Sequence, residues 1–115
     1  LSGTFDVVLS QVAKIPNPDT ADYDDAIVAA QAEIKGGPHA GKKIKLFHWA
    51  FQKRKLDRHA GQWTQGAALR VEIFDWKTAD QMVPGIDGLK ALDDVEDLTI
   101  SQYWGRILAA DKSSN

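Results

Sequence analysis

Apolar and polar residues alternate with a period of two along much of this chain, and that spacing predicts strands. From Thr4 to Ile15, Phe5, Val7 and Leu9 share one face while Val8 and Val12 take the other. Pro16-Asn17-Pro18-Asp19 ends that run, because each proline fixes φ and lacks a backbone donor. Lys43 to Phe51 alternates most clearly. Ile44, Leu46, His48 and Ala50 line one side, and Lys43, Lys45, Phe47, Trp49 and Phe51 line the other. In Ala67 to Asp75, Leu69, Val71 and Ile73 alternate with Arg70, Glu72 and Phe74. Tyr103-Trp104 and Ile107-Leu108 supply a last strand that covers the core.

Asp24 to Lys35 reads two ways. As a helix, Ile27, Ala30 and Ile34 fall on one face, an Asp precedes an alanine-rich run, and Gly36-Gly37 stops it. As a strand, Val28, Ala30, Ala32 and Ile34 fall on one side. The connector Gly36 to Gly41 then closes a hairpin to the next strand. Gln52 to Ala60 is highly charged and predicts one or two helical turns before Gly61. Lys77 to Lys90, with Pro84, Gly85 and Gly88, reads as a long loop, and Leu92 to Ile100 is acidic with spaced apolar residues. Asp111 to Asn115 reads as a frayed, flexible tail. Five strand candidates with a short helix between the third and fourth match a mainly β fold, a small OB-like five-stranded barrel.

The bulk numbers narrow the setting. The 115 residues suit a single domain, with 43% hydrophobic and 26% charged residues and a net charge of −2. The absence of cysteine excludes disulfides, thiolate metal sites and thiol nucleophiles. No apolar run approaches the ~20 residues of a membrane helix. A chain that begins at Leu1 reads as a domain excised from a larger protein, residues 1–115 forming one OB-like unit.

Nucleophilic and metal chemistry find little footing. Ser2, Ser10, Ser101, Ser113 and Ser114 lie in no nucleophile-elbow sequence, and His39, His48 and His59 have three different local settings. His48 in mid-strand reads as a hydrogen-bonded structural histidine. The acidic groups Asp19, Asp22, Asp24, Asp25 and Asp93, Asp94, Glu96, Asp97 suit calcium by ligand type. Neither has the spacing of a calcium loop, and solvated acidic loops explain both. No cofactor, metal site or catalytic residue is expected.

The basic stretch is more informative. Between Lys35 and Arg58 six Lys and two Arg face one Asp, a balance of +7, so the remainder carries −9. Phe47, Trp49 and Phe51 alternate with lysines there. Lys43, Lys45, Phe47, Trp49, Phe51, Lys53 and Arg54 are therefore the ligand-binding candidates. Rings stack on sugar faces or bases, and cations pair with uronate or phosphate. Two plainer readings compete: the lysines protect a sheet edge and the aromatics are core. The acidic segments can also fold over the basic stretch and neutralise it.

Several strings run through nearly the whole chain: Ile15-Pro16-Asn17-Pro18-Asp19, Asp22-Tyr23-Asp24-Asp25-Ala26-Ile27-Val28, Gly41-Lys42-Lys43-Ile44, Phe47-His48-Trp49, Arg54-Lys55-Leu56, Leu92-Asp93-Asp94 and Tyr103-Trp104. Together they resemble a β domain found as an appendage in bacterial envelope proteins that also carry an SGNH-type, alginate-acetyltransferase-like domain. The resemblance implies an OB-like barrel, an extracytoplasmic location in periplasm or envelope, and a polysaccharide-related context. It also favours the strand reading of Asp24 to Lys35. It carries no catalytic role. The SGNH domain needs a Gly-Asp-Ser block and an Asp-x-x-His block, and here Asp57 is followed three residues later by Ala60. The expectation is a non-catalytic accessory or binding domain. Its partner would be an anionic polysaccharide or a neighbouring domain of the same chain. The alternatives are a single-stranded nucleic-acid module, which is disfavoured, and a purely structural spacer.

Overall fold

A computed structural model describes residues 1–110, so the expected tail at 111–115 lies outside the described residues. β1 spans Gly3–Ser10 and β2 spans Ala26–Ile34, which makes the alanine-rich stretch a strand. β3 covers Lys43–Gln52, β4 Lys55–Leu56, β5 Ala68–Asp75, β6 Lys90–Leu92 and β7 Gln102–Ala110. One α-helix, α1, spans Trp76–Met82. With 44% of the described residues in strands and one short α-helix among them, the protein is mainly β. Among the described residues no helix is long and apolar enough to cross a membrane.

The reason β2 is not a helix is coverage on both faces. Ala26, Val28, Ala30, Ala32 and Ile34 enter one buried cluster with Leu9, Leu46, Phe51, Val71 and Ile73. Ile27 and Ala29 enter a second with Phe47, Val83, Ile86 and Trp104. A helix buries one stripe only. Its alanine advantage is under about 1 kcal/mol per residue, while burying an Ile or Val side chain is worth about 1.5–3 kcal/mol. Tertiary packing therefore outweighs local propensity here.

β1 pairs antiparallel with β2 and with β5, β2 antiparallel with β3, and β5 antiparallel with β7. β3 and β7 pair in parallel over Lys45–Phe47 and Gln102–Trp104. Following these pairings from β1 through β2, β3, β7 and β5 returns to β1. β6 adds a short parallel strand to β2, and β4 a two-residue antiparallel one to β3.

Two features depart from the sequence pattern. First, the helix predicted between the third and fourth long strands is absent. Gln52 to Gln62 instead makes the β3–β4 hairpin and a 3-10 turn over Ala60–Gln62. The helix lies after β5, where a loop was predicted. Asp75 caps it by accepting from the Thr78 backbone N–H at 2.8 Å, which holds the Asp75 carboxyl below its ordinary pKa. Ala79 and Val83 then pack into the second cluster. Second, the β2–β3 register shifts, with Ala26 opposite Phe51 and Ile27 opposite Trp49. Ala50 is the extra residue of a bulge, so Ala50 and Phe51 both join the first cluster.

The β3–β4 hairpin turns on Lys53 and Arg54, with φ of 49° and 62°. Two-residue turns with both φ positive favour Asn-Gly, and branched or long side chains there carry strain. Local contacts offset it. The Lys53 N–H donates to Asp25 Oδ1 at 2.8 Å, and the Arg54 guanidinium donates to Asp24 and to the Pro18 and Ala21 carbonyls. Lys53→Asn keeps these contacts and suits the turn. It is expected to raise stability by about 0.5–1 kcal/mol in a urea melt.

Candidate functional site

The seven predicted ligand residues do not form one surface. Phe47 is buried against Trp76, with ring centres 5.1 Å apart. Phe51 is wholly buried and stacks on Tyr23 at 5.8 Å, nearly parallel. Trp49 is half-buried and meets the Trp104 ring edge-on at 5.8 Å. Lys45 is only 12% exposed and donates to Asp93 at 2.7 Å. Lys43 is exposed, and its charge helps hold the Asp97 carboxyl below its ordinary pKa, after the Thr99 hydroxyl and N–H that bond it directly. Arg54 is committed to the loop that precedes β2, and Lys53 is exposed at the hairpin tip.

What covers the aromatic face is the chain itself. The segment from α1 to residue 100 lays Ala79, Val83, Ile86 and Val95 over Phe47 and Trp104. Its β6 joins the β2 edge, and Asp93 reaches Lys45. The acidic segment thus folds over the start of the basic strand, one of the arrangements the charge pattern allowed.

His48 holds the most constrained polar position. Its ring is buried, with Nδ1 hydrogen-bonded to the Gly105 carbonyl at 2.9 Å and Nε2 to Asp57 Oδ2 at 3.1 Å. It stacks on Trp63 at 5.4 Å, and the His59 ring stands 6.1 Å away. The arrangement ties the 57–63 segment to β3 and β7.

Asp57 shows the electrostatic side of this tie. Burial alone raises its pKa. The His48 hydrogen bond, the His59 backbone N–H and the nearby imidazole charges outweigh that and hold the carboxyl below its ordinary value of 3.8. A depressed native pKa contributes stability that is complete above the unfolded value and lost as pH falls through the folded one. The protein is therefore expected to lose stability below about pH 4, and Asp57→Asn to flatten that limb of a pH–stability curve followed by tryptophan fluorescence.

Next to this tie runs a surface that the alternation pattern does not reveal. A depression of about 330 Å³ lies between Ile15, Pro16 and Pro18 on one side and Leu56, Ala60 and Gly61 on the other. A second, about 320 Å³, continues it past the shared walls Ile15 and Ala60 to Lys14, Trp63 and Gln65. A third, about 310 Å³, shares Leu56 and is bordered by Lys55 and Arg58. Leu56 is 52% exposed where two of them meet. The indole Nε1 of buried Trp63 has no hydrogen-bond partner among the described residues. The signal for this surface lay in the run Lys55-Leu56-Asp57-Arg58 inside the basic stretch, but the facing wall comes from residues 40 positions earlier.

Among the described residues no group of three or more His, Asp or Glu is placed to hold a metal ion. Searches against protein-family profiles, curated proteins and solved structures find no match to this chain.

Proposed function

We propose that the chain is an OB-like barrel acting as a non-catalytic accessory domain that holds an anionic partner. The barrel reading is supported by the ring of pairings among the five long strands, including the parallel contact of β3 with β7. The envelope and polysaccharide-related setting rests on the resemblance of the sequence strings alone.

One observation carries the anionic partner. Lys14, Lys53, Lys55 and Arg58 have no carboxylate within ion-pairing distance among the described residues, although the chain as a whole is acidic. The one acid among Lys53 to Arg58, Asp57, is turned inward to His48. Of these cations, Lys14, Lys55 and Arg58 border the adjoining depressions, and unpaired cations beside an apolar surface attract anions and steer their approach. The nucleic-acid alternative has weaker support, because its stacking rings Phe47 and Phe51 are buried.

The test is calorimetric titration of the domain with an oligouronate and with polyglutamate at low and high salt. Binding of at least one polyanion, weakened by salt and by Lys55→Glu/Arg58→Glu, is the expected result. No heat from either polymer at low salt rejects the reading.

A further inference from the structure

We infer that the partner is a polypeptide, docking as an extended acidic segment that places an aliphatic side chain in the groove between residues 15–18 and 56–61. This rests on the accessory-domain reading and deepens it by naming the chemistry of the occupant.

The groove floor decides between polypeptide and glycan. Apart from Asn17 and Gly61 it is aliphatic and prolyl: Ile15, Pro16, Pro18, Leu56 and Ala60. Sugar faces stack on flat aromatic rings, and here the rings are turned inward, with Trp63 nearly fully buried. An aliphatic side chain matches such a floor by burying apolar surface on both partners, and Leu56, half in water, gains most from being covered. The volume of about 330 Å³ sits at the low end for a binding cleft, which suits side chains rather than a bulky ligand.

The rim decides the charge. Arg58 and Lys55 border one end and Lys14 the other, so carboxylates flanking the anchor on both sides find cations. The prolines decide the mode. Pro16 and Pro18 offer no N–H, so an incoming strand cannot form a full backbone ladder with 15–18. Recognition must come from side chains, an apolar anchor framed by charge, which is how hot spots with polar rims are built.

The experiment uses three hexapeptides: Asp-Asp-Leu-Asp-Leu-Asp, the same with Ser for both Leu, and the same with Lys for every Asp. Fluorescence anisotropy of labelled peptide reads binding, with the oligouronate as competitor. The leucine-containing acidic peptide is expected to bind at least about tenfold more tightly than the serine or lysine versions, and Leu56→Ser to lose about tenfold. Leu56 is exposed, so a matching melting temperature for Leu56→Ser separates lost docking from lost folding. Oligouronate binding untouched by Leu56→Ser, with no preference for leucine, overturns the polypeptide and leaves the accessory-domain reading standing. Failure of every anion overturns both. Leu98 is 85% exposed on the acidic segment. Concentration-dependent self-association abolished both by Leu98→Ser and by Leu56→Ser would identify a second copy's acidic segment as that polypeptide and support the assignment.

Discussion

His48→Ala is expected to lower the unfolding free energy by about 3 kcal/mol, because two acceptors at least partly buried lose their hydrogen-bond partner and a buried ring is removed. The acceptors are the Gly105 carbonyl and the partly buried Asp57 carboxylate, and the ring is the one stacked on Trp63. Asp57 keeps the His59 backbone N–H, which limits the loss. For a domain of this length the melting temperature should fall by roughly 10 °C. His59 is the control. Its Nδ1–H donates to the Oε1 of exposed Gln62, and His59→Ala should cost under about 1 kcal/mol. A cycle with Asp57→Ala tests the mechanism: the double variant should be less destabilised than the sum of the single ones. Additive losses would mean that the imidazole contributes by packing alone.

Gly105→Ala should be nearly as damaging, about 2–3 kcal/mol, for a steric reason. A Cβ built at Gly105 meets Leu46 Cγ at 2.8 Å, Cδ1 at 2.9 Å and Cδ2 at 3.0 Å. All the branch atoms of one buried side chain are involved, so no small rotation of a methyl relieves the contact. β7 passes β3 here just beyond their parallel pairing, and His48 reaches the Gly105 carbonyl at the same point. Removing the obstacle should help. In Gly105→Ala/Leu46→Ala the loss should be smaller than the two single losses together, even though Leu46→Ala alone empties core volume worth about 2–5 kcal/mol. Urea midpoints of the four proteins decide this. Full additivity would show that β7 shifts away from Leu46 instead.

β1 and β5 were legible because half of each faces the buried interior, whereas β2, buried on both faces, read two ways. β5 follows its alternation closely, with Leu69, Val71 and Ile73 buried. The candidate site was legible only as charge. Lys53 and Lys55 stand free as the basic stretch suggests, while Phe51 was placed with Phe47 and Trp49 by simple alternation. The bulge at Ala50 turns Phe51 to the opposite cluster, and a bulge depends on how β2 pairs with β3, which the β3 sequence does not encode. Helix α1 carried an Asp75 cap signal, but Pro84, Gly85 and Gly88 masked a helix of only seven residues.

Local order in the chain alone determined the mainly β character, the turns at Pro16–Asp19 and Gly36–Gly41, and the concentration of positive charge before Arg58. These follow from neighbouring residues: proline geometry, period-two burial and counted charge. The tertiary structure alone decided which face of β3 meets solvent, what covers it, and which residues share a groove. It brought Ile15 beside Ala60 and Asp93 onto Lys45, contacts made across 45 and 48 positions. Such contacts form because the sheet must bury apolar surface on both sides of β2 and β3. The partner for each residue is then set by the path of the whole backbone, not by its neighbours in sequence.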